Sequence, residues 1–173
     1  MREVTQVRPS EVGALSQIRL LVKTMRLKQW TKNVFVWAAL IFDGKFFDTT
    51  YFLHTLLTFL LFCLISSVVY TINDLADIEK DRRHPEKRNR PLASGALRPR
   101  HALLGAALLF ALTVPGTLRL GGGLALTLYG YLVAMIAYSF WLKNIVIVDV
   151  LTIAAGFVLR VAAGVIIVDA ARF

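Results

Sequence analysis

The sequence predicts an all-α protein, a multi-spanning bundle of about five transmembrane helices. Three observations predict it. Hydrophobic residues make up 57% of the chain and charged ones 18%, with a mean hydropathy of +0.62, whereas a soluble domain carries about 25% charged residues. Apolar runs long enough to cross a bilayer recur along the chain, separated by short polar turns. The basic residues crowd beside those runs, mostly at one end of them.

Residues 1–14 read as a polar N-terminal tail and 15–173 as one transmembrane domain. Over residues 15–30, Arg19, Lys23 and Arg26 share one helical stripe while Ile18, Leu21, Val22 and Met25 lie on another side. Such a segment either lies on the membrane surface or continues into the first span. That span ends with "NVFVWAALIF" and stops at the turn Asp43-Gly44-Lys45. Residues 51–72, "YFLHTLLTFLLFCLISSVVYTI", form the clearest membrane helix, about 33 Å long at about 1.5 Å per residue. Further spans fall near 101–118, 122–141 and 145–168, connected by Gly121-Gly122-Gly123 and by Trp141-Leu142-Lys143-Asn144. The single cysteine, Cys63, excludes an intramolecular disulfide and a cysteine-based metal site.

A net charge of +9 would suit nucleic acid, but the bases flank hydrophobic spans and form no separate soluble domain, so no nucleic-acid partner is expected. Lys28 and Lys32 precede the first span, Arg82, Arg83, Lys87, Arg88, Arg90, Arg98 and Arg100 follow the second, and Lys143 follows the fourth. Threading the spans puts all of these on one side, which the positive-inside bias makes cytoplasmic. The expectation is a multi-pass protein of the cytoplasmic (inner) membrane.

The loop at 73–100 carries the chemistry. Asp74, Asp77 and Asp81 are spaced to fall within an arc of about 60° on one helical face. Ser67 and Tyr70 continue that face toward the membrane, and Glu79 points away. Three carboxylates so close repel one another unless something positive sits among them. One reading is a solvated helix end; the other is a hydrated, paired or metal-bound cluster at the mouth of the bundle. Mg2+ is the natural counterion, because it takes hard oxygen ligands and is commonly held by one or two carboxylates together with substrate phosphates. The bases that follow can neutralise phosphate oxygens the metal leaves exposed.

The stretch from Asn73 to Asp81 fits the NDxxDxxxD motif and resembles that of the UbiA superfamily of intramembrane prenyltransferases. The flanks "RLKQWTKN" at 26–33, "HPEKRNRPLASG" at 84–95 and "YSFWLKNIVIVDVLTIAAGFVLRVAAG" at 138–164 are similar to its decaprenyl-phosphate phosphoribosyltransferase branch. The resemblance covers most of residues 19–168. It implies a helical bundle of about nine spans around a polar cavity, with the active site facing the cytoplasm. It also implies Mg2+-dependent transfer of phosphoribose from 5-phosphoribosyl diphosphate, a phosphorylated sugar donor, to a polyprenyl (decaprenyl) phosphate lipid. A second acidic motif of the superfamily would fall beyond Phe173, so the chain is expected to be the N-terminal half of such an enzyme. Missing C-terminal spans or another subunit are then expected partners, beside membrane lipid, and these residues alone are expected to be incompletely active.

The expected catalytic and metal-binding residues are Asp74, Asp77 and Asp81, and the expected substrate-binding residues are Lys28, Lys32, Tyr70, Asn73, Lys87, Arg90, Tyr138, Lys143 and Arg160. Lys28 and Lys32, four apart, can face one phosphate, or simply anchor the membrane orientation. Lys87, Arg90 and Lys143 can close over a donor, or face anionic lipid. Arg160 lies inside the fifth apolar span, on a narrow stripe with Asp149 and Gly156. An ionisable residue there faces a cavity or forms an ion pair within the bundle. His84 has no partner at metal-ligand spacing, and Gly121 to Gly123 lack the following Lys-Ser/Thr of a phosphate loop. Two other functions fit: a UbiA-type prenyltransferase moving a polyprenyl group from its diphosphate to a small acceptor, or a noncatalytic membrane module binding anionic lipid or a partner.

Overall fold

Inside a bilayer no water satisfies the backbone, so a lipid-exposed chain must bond its own amides, as helices do. The computed structural model describes residues 14–171 and contains no strand among them. Its elements are α1 (Ala14–Thr24), a 3-10 helix (Leu27–Trp37), α2 (Ala38–Phe42), α3 (Thr49–Ala76), α4 (Ile78–Arg83), α5 (Pro99–Leu120), α6 (Gly122–Phe140) and α7 (Val146–Ala170). Short 3-10 turns at Lys87–Asn89 and Leu142–Asn144 complete the connections. The polar tail expected over residues 1–14 lies outside the described residues, apart from Ala14.

Four helices, α3, α5, α6 and α7, are long and apolar enough to cross a membrane. They correspond to the second through fifth expected spans. The first expected span is built differently. Trp30, Thr31, Asn33, Val34, Phe35, Val36 and Trp37 are all weak α-formers, and the segment winds as an 11-residue 3-10 helix before one short α-helical stretch. It nevertheless runs antiparallel along α3. Arg26 pairs with Asp74, the Trp30 indole donates to Ser67 Oγ at 3.0 Å, Asn33 donates to Cys63 Sγ at 3.3 Å, and the Trp37 ring packs on Phe59 and Phe52. At about 2.0 Å rise per residue the 3-10 form covers more height than an α-helix of equal length.

Helix α1 does not continue into this segment. Arg26 stands between them at φ 51°, ψ 55°, the left-handed region, which costs a non-glycine residue about 1–3 kcal/mol and persists only where other contacts hold it. Beyond that break α1 docks through Leu20 and Leu21 on Leu92, Leu97 and Ala102, and Gln17 donates to the Ala96 carbonyl at 2.9 Å.

The main core gathers Phe62, Ile65, Leu124, Leu128, Tyr131 and Ile167 from α3, α6 and α7. Several hydroxyls within the spans are satisfied by their own helix: Ser67, Thr71, Ser139 and Thr152 each donate to the carbonyl four residues earlier. Leu118, Leu126, Val146 and Ile147 face outward as lipid-contacting positions do. Gly164 brings α7 directly against the 3-10 segment: a Cβ there would lie 2.2 Å from the Val36 carbonyl oxygen. One turn away on both elements, Arg160 meets Asn33.

Candidate functional site

The C-terminal end of α3, helix α4, the loop through Arg90 and the turn at Lys143 meet at one end of the bundle, where the bases expected on the cytoplasmic side collect. Together with α6 and α7 they enclose a cavity of about 470 Å³ that reaches from this end down to Arg160. Its polar wall includes Tyr70, Asn73, Asp77, Tyr138, Ser139 and Tyr131, and its cations are Arg26, Lys32, Lys80, Lys87, Arg90, Lys143 and Arg160. Val69, Met135, Ile153 and Phe157 supply the apolar part.

The three aspartates divide between two places. Helix α3 ends at Ala76 and Asp77 caps it at φ −99°, ψ 9°, but the i→i+4 hydrogen bonding continues, from Asp77 N to Asn73 O at 3.0 Å and from Asp81 N to Asp77 O at 2.8 Å. Asp74 and Asp81 therefore stay on one side, both 3% exposed. Arg90 Nη1 lies between them, 3.2 Å from Asp74 Oδ1 and 2.7 Å from Asp81 Oδ2, and Arg26 closes on Asp74 from the other flank. Asp77 turns into the cavity and accepts from Lys143 Nζ at 2.6 Å. Each carboxylate of the motif thus carries a basic partner from elsewhere in the chain, which is how so many acids are tolerated together. Glu79 points away, as expected, and pairs at the surface with Arg82 at 2.6 Å.

Among the described residues no group of three or more acidic, histidine or cysteine side chains is close enough to hold a metal ion in this arrangement. The donor chemistry still suits a hard cation. Asp74 and Asp81 offer carboxylate oxygens to a shared positive group, the place that Arg90 Nη1 takes here.

The structure brings Lys32, Tyr70, Asn73, Lys87, Arg90, Tyr138, Lys143 and Arg160 to the cavity, all of them expected there. Lys28 is the exception: it is exposed and lies off the wall. The physical reason is the local helix. Residues four apart share a face at 3.6 per turn, but in a 3-10 helix of about 3.0 per turn they diverge by about 120°. Of the two readings open for Arg160, a cavity-facing residue or an ion pair within the bundle, the structure has the first: Arg160 lines the cavity and bonds Asn33, Tyr131 and the Gly156 carbonyl, and no carboxylate among the described residues. Asp149, placed on its stripe by spacing, makes no bond to it.

Reading charges and motifs missed four residues that matter at this site. Arg26 and Lys80 line the wall, and Asn33 and Tyr131 hold Arg160. Arg26 and Asn33 both lie in the "RLKQWTKN" segment, and that resemblance is the signal that marks them. Tyr131, inside an apolar run, carries none.

The UbiA prenyltransferase family matches residues 34–171. Among curated proteins, the chain is 35% identical over 148 residues to a decaprenyl-phosphate phosphoribosyltransferase of Corynebacterium glutamicum, covering 83% of this chain and 45% of that protein. It is 36% identical over 148 residues to the protein of the same name from Mycobacterium tuberculosis, covering 83% and 49%. It is 40% identical over 141 residues to an uncharacterized protein, y4nM, of Sinorhizobium fredii, covering 81% and 27%. The chain spans about half the length of the phosphoribosyltransferases it matches. The family match takes in every helix from α2 to α7 and, with them, all of the cavity wall except Arg26 and Lys32, and the chain therefore belongs to the UbiA prenyltransferase family.

Proposed function

We propose that the whole protein of which these residues form part transfers phosphoribose from 5-phosphoribosyl diphosphate to a polyprenyl phosphate in the cytoplasmic membrane. The observation that carries the reading is the cavity's charge. Seven cations line it, three of them matched by the motif carboxylates, so a surplus of positive side chains faces a space of about 470 Å³. A donor with phosphate at both ends of a polar sugar uses that surplus better than a prenyl diphosphate with one charged end. The relatives named decaprenyl-phosphate phosphoribosyltransferase support the same choice.

In this reading Asp74, Asp77 and Asp81 would hold magnesium, and the charge it supplies would neutralise a departing diphosphate. Lys80, Lys87 and Arg90 contact its outer oxygens at the mouth. The bond from the anomeric carbon to the diphosphate breaks, the electron pair leaving with the diphosphate, and an oxygen of the lipid phosphate bonds to that carbon. Asn73 and Tyr138 orient the sugar, while Ile153 and Phe157 keep water from the reacting carbon. No protein nucleophile is needed. A second acidic motif, from further spans or another subunit, would face Asp77 across the cavity.

Membranes containing the protein should transfer labelled phosphoribose to polyprenyl phosphate only when magnesium is present. Lys32→Ala should raise the donor KM by about tenfold, the worth of one charged hydrogen bond, and the exposed Lys28→Ala should change it little. Consumption of a prenyl diphosphate with a small acceptor, and none of the phosphoribosyl donor, would move the assignment to a prenyltransferase. Absence of magnesium-dependent binding of either donor would leave a lipid-binding module.

The same reading places the cavity mouth on the cytoplasmic side. In a Cys63→Ala background, Lys45→Cys should react with an impermeant thiol reagent in intact cells, and Arg88→Cys only after permeabilisation. The reverse pattern would invert the topology.

A further inference from the structure

Arg160 is the cavity's one cation that is both deeply buried and held by neutral groups alone. It is 5% exposed and lies 14 residues into α7 from Val146, about 21 Å along the helix. Its Nε donates to Asn33 Oδ1 at 2.8 Å, Nη1 to the Gly156 carbonyl at 2.7 Å and Nη2 to the Tyr131 hydroxyl at 2.9 Å. The guanidinium carbon also lies 4.7 Å from the centre of the Tyr131 ring and 5.6 Å from that of Phe157. None of the ion pairs among the described residues includes it, whereas Arg26, Arg90 and Lys143 each meet an aspartate.

Neutral acceptors orient a guanidinium without cancelling its charge. A guanidinium stays protonated and has five N–H donors. Three are committed here, and the remaining ones are left for the cavity that Arg160 lines. Burying an unpaired charge at membrane depth is costly, and such residues face a pathway or a ligand. The surroundings hold the group still: Asn33 is fully buried and also bonded to Cys63 and Ser66, and Gly156 leaves room for Met135 and the guanidinium, which would lie 3.3 and 3.4 Å from a Cβ there. A fixed, partly desolvated fork of this kind is preorganised for a phosphate.

We propose that Arg160, held by Asn33, Tyr131 and the Gly156 carbonyl, forms the floor of the cavity as a receptor for a phosphate monoester of the substrates, separate from the diphosphate end at the acidic mouth. The inference rests on the phosphoribosyl-transfer reading, in which two groups have this chemistry: the 5-phosphate of the sugar donor and the phosphate of the polyprenyl acceptor. Either would give the buried cation the counterion that the chain withholds.

The decisive variant is Asn33→Asp. It keeps the size of the side chain and its acceptor to Arg160 Nε, and places a carboxylate on the guanidinium. A merely structural arginine would be held as well or better, whereas a phosphate receptor would be neutralised from within. The protein in nanodiscs of zwitterionic lipid would be titrated with ribose 5-phosphate, with a short-chain polyprenyl phosphate, and with pyrophosphate plus magnesium. Asn33→Asp and Arg160→Gln should each weaken at least one phosphate monoester by about tenfold or more, and Arg160→Lys should recover part of the loss. Pyrophosphate binding should stay at the parent value. Loss confined to ribose 5-phosphate assigns the floor to the donor, and loss confined to the lipid assigns it to the acceptor. Unchanged binding of both monoesters by folded Asn33→Asp, or no binding of either by the parent, overturns the proposal. Failure of the parent to bind pyrophosphate with magnesium would instead count against the acidic mouth and the transferase reading.

Discussion

Replacing Gly164 by alanine should lower the protein's stability by about 3 kcal/mol, the upper end for forcing one methyl group into a packed contact. The new Cβ would lie 2.2 Å from the Val36 carbonyl oxygen and 3.1 Å from its carbon. Backbone cannot step aside as the tip of a side chain can, so α7 and the 3-10 segment must separate. For a chain of this size the loss corresponds to about 6–12 °C in thermal midpoint. Gly122→Ala is the matched control, because nothing lies within 4 Å of a Cβ there. Thermal unfolding of the two variants in the same detergent checks the expectation, and equal midpoints would show that the contact does not hold the elements together. The consequence reaches the site. Arg160 and Asn33 meet one turn from this contact, so a shift of α7 also misaligns the floor of the cavity.

Aspartate-to-asparagine changes in the motif should separate stability from chemistry. Asp77→Asn should cut phosphoribosyl transfer by about 10²-fold, the usual loss for one group that stabilises developing charge, while leaving the fold intact. Asp77 caps α3 at the cavity edge and has a single basic partner, Lys143, at 2.6 Å. Asp74→Asn should lose activity to a similar extent and also destabilise the protein by about 3 kcal/mol, the lower end for breaking a buried pair, because Arg26 then has no carboxylate while Arg90 keeps Asp81. Asp74 is 3% exposed and answers both Arg26 and Arg90. Magnesium-dependent donor binding and thermal midpoints, measured on both variants, resolve the two effects. Parent-like donor binding by Asp74→Asn, Asp77→Asn and Asp81→Asn alike would remove the metal role from the motif. A fall in midpoint for Asp77→Asn as large as that for Asp74→Asn would contradict the division of the three aspartates between a buried pair and a cavity-facing one.

Much of the bundle is legible from short-range pattern. The four long helices match expected apolar runs, with α3 extending the run at 51–72 to residues 49–76. Asp48 caps it with its own carboxylate, accepting from Thr50 N at 2.9 Å, a local start signal. The glycine turn shrank to Gly121, at φ 100°, because Gly122 and Gly123 join α6. The first span escaped the pattern. An apolar run reads alike in α and 3-10 form, and the difference in pitch decides that Lys32 lines the wall while Lys28 does not.

By itself the sequence determined that this protein is a helical membrane bundle with its bases at one end and an acidic motif at the mouth. Hydropathy, charge and residue spacing are properties of neighbours along the chain, and a bilayer leaves helices as nearly the only solution for such runs. Only the tertiary structure decided which cation answers which carboxylate. Arg90 bridges Asp74 and Asp81, Lys143 reaches Asp77 from 66 residues away, and Arg160 finds Asn33 across 127 residues. Those pairings depend on how closely the elements approach, and the approach depends on single small contacts such as Gly164 against Val36, which leave no mark in composition or periodicity.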